Sequence, residues 1–111
     1  VHADLIRDID LFNHQEANHY RFHARYNEAL HRSYPGLEPF EAEIKADFDR
    51  FLREKSLAWN LAYCEGFEAT GLVSAEFFFG PAAPFLQTAD PAGRDLWAWH
   101  LAEEFEHRCV C

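Results

Sequence analysis

Three side chains close to the end of this chain have the types and spacing of metal ligands: His100, Glu104 and His107, in the pattern H-x-x-x-E-x-x-H. A helix turns about 100° per residue, so positions i, i+4 and i+7 share one narrow face and the three side chains project together. A second run far upstream, Glu16-x-x-His19-x-x-x-His23, repeats the pairing of carboxylate and imidazole. In helical bundles that hold two metals, facing helices contribute Glu-x-x-His pairs and further helices add one Glu each. The two runs therefore point to a dimetal carboxylate centre.

Chance has to be weighed against that reading. Twelve Glu and seven His in 111 residues give about one accidental Glu-x-x-His. Glu28 and His31 supply it: Glu28 lies twelve residues after Glu16, about 120° round the same helix, and is expected to face solvent, with His31 far outside the centre. Chance accounts poorly for two clusters that each carry an additional His in phase with the pair.

These side chains need helices to carry them. From about Ala3 to Tyr34 there is no Pro or Gly, and Leu5, Ile9, Phe12, Ala17, Tyr20, Ala24 and Leu30 recur near helical spacing, which predicts one long helix. Pro35-Gly36 ends it. A second helical region, Glu38 to Phe79, is too long for one ordinary helix and is expected to break near Ser56. Its later half, Leu57 to Phe79, is apolar and small, and is expected to be buried. Glu65 and Glu68 are the only charged residues between Leu57 and Val73, and a buried carboxylate pairs, protonates or binds metal. Gly80-Pro81-Ala82-Ala83-Pro84 breaks the chain, and the last helix is expected from about Arg94.

Composition bounds the rest. At 12.9 kDa, residues 1–111 make a single helical metal-binding domain, short for a complete four-helix metalloprotein and expected to be a piece of a longer chain. Eleven Phe and three Trp predict a bulky aromatic core. A net charge of −9 argues against nucleic acid, which needs a basic footprint. There is no 18-residue apolar run for a membrane span and no secretory leader pattern, so the cytoplasm is the expected compartment. Cys64, Cys109 and Cys111 form no paired disulfide framework, and Cys109 and Cys111 read as thiols rather than soft-metal ligands.

With these residues assembled, the chain resembles a bacterial family of predicted metal-dependent hydrolases whose members look like ferritin-type helical dimetal proteins. The resemblance is carried by Gln15 to His23 (QExxHxxxH), by Glu65-Gly66-Phe67-Glu68, and by Leu96 to His107 with its WHxxEExEH run. It implies an all-α, ferritin-like bundle lacking one helix, with Glu16, His19, Glu65, His100, Glu104 and His107 as metal ligands; the central segment allows Glu68 in place of Glu65. The spacing is also similar to that of di-iron arylamine N-oxygenases. In both groups an earlier helix supplies one further Glu, whereas the fifteen residues before Glu16 contain none. Asp4, Asp8 and Asp10 stand there instead, and Asp8 is nearest in phase to Glu16. That departure implies either an absent first helix or a one-metal site.

Mixed Glu and His donors in a bundle favour iron or manganese over zinc, so the expected cofactor is two iron ions, with manganese or a mixed Mn/Fe pair as alternatives. The leading expectation is di-iron oxidase or oxygenase chemistry on a small organic substrate with O2 as a partner. The alternative is a metal-dependent hydrolase using metal-bound hydroxide, with His23, one turn from His19, as the candidate general base or as support for a neighbouring ligand. A third reading is a structural bundle that only holds metal. A homodimer is compatible with all three.

Overall fold

The structure is a computed structural model and describes residues 3–107. Those residues form five helices and no strand: α1 (Ala3–His31), α2 (Leu37–Glu54), α3 (Leu57–Phe79), α4 (Ala83–Leu86) and α5 (Pro91–His107). The all-α class read from the periodicity is the one observed. Cys109 and Cys111 lie outside the described residues.

The chain breaks where its capping chemistry lies. α1 stops at His31, three residues earlier than expected, because the Ser33 and Tyr34 amides both donate to the Leu30 carbonyl at 2.9 Å and close the helix ahead of Pro35-Gly36. The break at Ser56 falls as predicted: its Oγ accepts the Trp59 amide at 3.2 Å as the N-cap of α3. α5 starts three residues before Arg94. Pro91 takes its first position and Asp90 Oδ2 accepts the Gly93 amide at 2.8 Å.

α5 packs against both α1 and α3, and α2 packs against α1. The register of α1 on α5 is antiparallel. Gln15 meets Glu106, His19 meets Glu103, His23 meets His100, and Tyr26 meets Asp90. The last of these contacts needs Gly93, since a Cβ there would collide with the Tyr26 hydroxyl. Between α1 and α2, Glu41 accepts from Asn27 Nδ2 at 2.6 Å and from His31 Nε2 at 2.9 Å. His31 is thus spent on a helix-to-helix link and Glu28 is exposed.

Two expectations about the interior are overturned. Ala75 is the one buried residue of α3, and Leu57, Leu61, Phe67, Val73 and Phe77 are exposed. The physical reason is that, among the described residues, α5 covers one face of α3, while α2 reaches only its first turns, where Phe48 and Phe51 meet Trp59 and Tyr63. Nor do the described residues form a bulky aromatic core: the buried hydrophobic ones among them are Ala75 and Leu101. The radius of gyration is 16.0 Å, against about 13 Å for a compact chain of this length. What the described residues do bury is polar, namely His19, Glu104 and His107.

Candidate metal centre

Burying one imidazole is common, whereas burying two of them with a carboxylate requires compensation. The most deeply buried large side chain is His107, at 1% exposure. Its Nδ1 faces three carboxylate oxygens: Glu68 Oε2 at 3.2 Å, Glu16 Oε1 at 3.3 Å and Glu104 Oε2 at 3.4 Å. One potential ligand atom from each of Glu16, Glu68, Glu104 and His107 lies within 4.8 Å of every other. A second group forms alongside. There Glu104 Oε1 lies 3.0 Å from His100 Nε2 and 3.5 Å from His19 Nδ1, and this trio also fits within 4.8 Å.

Glu104 belongs to both groups and turns one oxygen to each. The spacing explains the meeting. Glu16 and His19 occupy one face of α1, while His100, Glu104 and His107 share one face of α5. The antiparallel packing brings the two faces together, and α3 adds Glu68 from the side.

The outward ring nitrogens are engaged as well. His19 Nε2–H donates to Glu103 Oε2 at 2.8 Å, and His107 Nε2–H donates to Gln15 Oε1 at 3.3 Å. Gln15 in turn donates from Nε2 to Glu106 Oε2 at 3.2 Å. His100 Nδ1 lies 2.7 Å from His23 Nε2. Each inward nitrogen is thereby left facing carboxylate oxygen. The sharpest case is His19 Nδ1 with Glu16 Oε1, 3.3 Å apart, both buried and neither with a hydrogen-bond partner. Two acceptors pointed at each other in a buried space need a cation or a proton between them, so the donor set fits a metal.

The electrostatics agree with that need. No Lys or Arg among the described residues pairs with Glu16, Glu68, Glu103 or Glu104; all their ion-pair partners are histidines. Burial pushes the Glu68 carboxyl above its usual range, reinforced by the charges of Glu104 and Glu16. Burial also opposes ionisation of Glu104, but the neighbouring His100, His107 and His19 outweigh it and hold that carboxyl low. For His19, burial works against protonation, and Glu16, Glu103 and Glu104 together raise its pKa nonetheless.

The structure brings Glu16, His19, His100, Glu104 and His107 together, and on α3 it places Glu68 with them in place of Glu65. Glu65 is exposed and belongs to neither group, while Glu68 reaches His107. The two stand a little less than one turn apart on neighbouring rows of α3, and it is Glu68 that lies at the level of His107. His23 stands behind His100, on the side of that ring away from Glu104. Asp4 and Asp8 face solvent and pair with Arg7, and Asp10 is exposed. Glu103 and Gln15 were not singled out by spacing as part of the centre. Their signal lay beside the ligands, as the doubled acidic residue in Glu103-Glu104 and the Gln in Gln15-Glu16.

Among the described residues no helix is long and apolar enough to cross a membrane. A family model described as "Predicted metal-dependent hydrolase" matches residues 1–111. Comparison with curated proteins and with solved structures returns no match.

Proposed function

We propose that this chain, which belongs to the predicted metal-dependent hydrolase family, holds two divalent metal ions in the groups that share Glu104 and hydrolyses a small organic substrate there. The observation that carries the reading is Glu104, with Oε1 turned to His19 and His100 and Oε2 turned to His107. A carboxylate placed in that way suits a bridge between two ions. His19 and His100 would hold one ion; Glu16, Glu68 and His107 would hold the other. Charge supports the count, since the four carboxylates Glu16, Glu68, Glu103 and Glu104 balance two divalent cations. The donor set of imidazole and carboxylate suits Mn(II) or Fe(II).

When bound, such ions act as Lewis acids and bring the pKa of a coordinated water down to about 7. The chain's own residues prepare the site. Glu103 and Gln15 hold the protons of His19 and His107 on Nε2, which leaves each Nδ1 lone pair directed inward. His23 accepts from His100 Nδ1–H, so His100 presents Nε2 to the centre. Trp99 packs edge-on against His19 at 5.1 Å between ring centres, and Phe12 does the same to His107 at 4.8 Å. These rings would help to shield the two histidines from water. An apolar groove lined by Val73, Phe77, Leu86 and Leu101 extends to Trp97, whose ring lies 5.3 Å from that of His100. That groove offers an apolar part of a substrate a route to the centre.

We read the antiparallel α1–α5 pair with α3 beside it as three walls of a ferritin-like bundle. Iron with O2 chemistry suits the same residue types, but the family match favours hydrolysis. The test is metal content by mass spectrometry, followed by assay of the Mn(II)- and Fe(II)-loaded protein on ester, amide and phosphoester panels with parallel O2-uptake measurements. Hydrolysis that depends on Glu104 is expected. O2 consumption with no hydrolysis would overturn the reading.

A further inference from the structure

We propose that Gly71 is a positioning residue for the shared carboxylate: α3 carries no side chain there because Glu104 must lie against its backbone to serve both metal groups at once. This rests on the two-ion reading above. A Cβ built at Gly71 would fall 2.6 Å from Glu104 Oε2, 3.3 Å from its Cδ and 3.5 Å from its Cβ. The first of these distances is shorter than any real carbon-to-oxygen contact. The atom in the way is the oxygen turned to His107 Nδ1 at 3.4 Å.

Any side chain at position 71 drives that oxygen away from α3. The carboxylate is planar and rigid, so Oε2 cannot shift without disturbing Oε1, which lies 3.0 Å from His100 Nε2 and 3.5 Å from His19 Nδ1. One of the two groups then loses its share of Glu104.

Gly71 is not needed for its backbone freedom. It sits inside α3, and no glycine among the described residues has positive φ. Gly is a poor helix former compared with Ala, so local stability alone would favour Ala at this position. Gly66 on the same helix provides the contrast, since a Cβ there meets nothing within 4 Å. Gly71 also lies three residues after Glu68, on the face of α3 that delivers the other ligand. That face thus supplies one carboxylate and makes room for another.

The experiment uses Mn(II) as the probe on wild-type protein, Gly66→Ala and Gly71→Ala, with equilibrium dialysis for the number of ions and electron paramagnetic resonance for their coupling. Wild type and Gly66→Ala are expected to bind two ions per chain and give an exchange-coupled spectrum. Gly71→Ala is expected to keep its helical circular dichroism, bind about one ion and give an isolated six-line spectrum. If Gly71→Ala does not fold, Gly71→Ala/Glu104→Asp is expected to recover the fold, because the shorter arm withdraws from the new methyl group. Two coupled ions in Gly71→Ala would overturn this proposal alone, and so would a double variant no better folded than the single one. A wild-type protein that binds no ion would overturn the metal reading and this proposal with it.

Discussion

His100 and His23 meet across the α1–α5 packing with Nδ1 and Nε2 2.7 Å apart, while the opposite nitrogen of His100 stands 3.0 Å from Glu104 Oε1. Burial, with His100 and His19 alongside, holds the His23 pKa to about 4, so near neutral pH His23 is uncharged and its Nε2 can accept. That geometry suits His23 to fixing the tautomer of His100. His23→Ala is therefore expected to weaken metal binding roughly 10- to 100-fold, measured by Mn(II) titration. Unchanged affinity with lost activity would return His23 to the general-base role.

The same histidine makes a prediction for the metal-free protein. Its folded pKa of about 4 lies below its ordinary value of 6.5, so between these values the unfolded chain binds more protons than the folded one. Stability is then present in full above pH 6.5 and is lost as pH falls through about 4. Urea denaturation at pH 7 and pH 4.5 is expected to show a larger loss for wild type than for His23→Gln. Equal losses would mean that His23 is not held neutral by the fold.

On α3 the two acidic residues separate cleanly. Glu68 faces His107 at 3.2 Å, and Glu65 is exposed. Glu68→Ala is expected to lower metal affinity by at least tenfold, or about 1.4 kcal/mol at the conversion for a factor of ten, and Glu65→Ala to leave it unchanged. Because the Glu68 carboxyl is pushed upward by burial and by Glu104 and Glu16, metal must displace a proton as the pH falls. Wild-type affinity should thus rise with pH, and it should do so less steeply in Glu68→Ala.

Much of the centre was legible because helical phase is a strong constraint. Glu16 and His19, and His100, Glu104 and His107, are set by spacing alone once each stretch is helical. The choice between Glu65 and Glu68 was not, because it depends on which face of α3 meets α5, and α3 is apolar almost all round. The same uniform apolarity made Leu57 to Phe79 read as buried, although burial depends on how many neighbours a helix has and not on its composition. Glu103 and Gln15 act across the α1–α5 interface, so their roles appear only once the register is known. The Glu41 link between Asn27 and His31 is also tertiary, although the helical phase of Glu28 had already set it and His31 apart from the centre.

The two-ion reading couples metal binding to stability through Glu104. Without cations, Glu16 Oε1 and His19 Nδ1 are buried without partners and Glu68, Glu16 and Glu104 crowd His107, so part of the folding free energy is lost to repulsion and desolvation. An ion that binds only the folded chain contributes about 2.7 kcal/mol at a hundredfold excess over its Kd, which for a domain of this size raises Tm by about 10 °C. Mn(II) or Fe(II) is expected to produce a rise of that order in wild-type protein by differential scanning calorimetry. Glu104→Ala removes the group common to both sets and should abolish most of the rise. Glu28→Ala alters an exposed residue of α1 outside both sets and should retain it. If wild type and Glu104→Ala melt alike with and without added metal, Glu104 is not a ligand and the centre is held by imidazolium–carboxylate pairs instead.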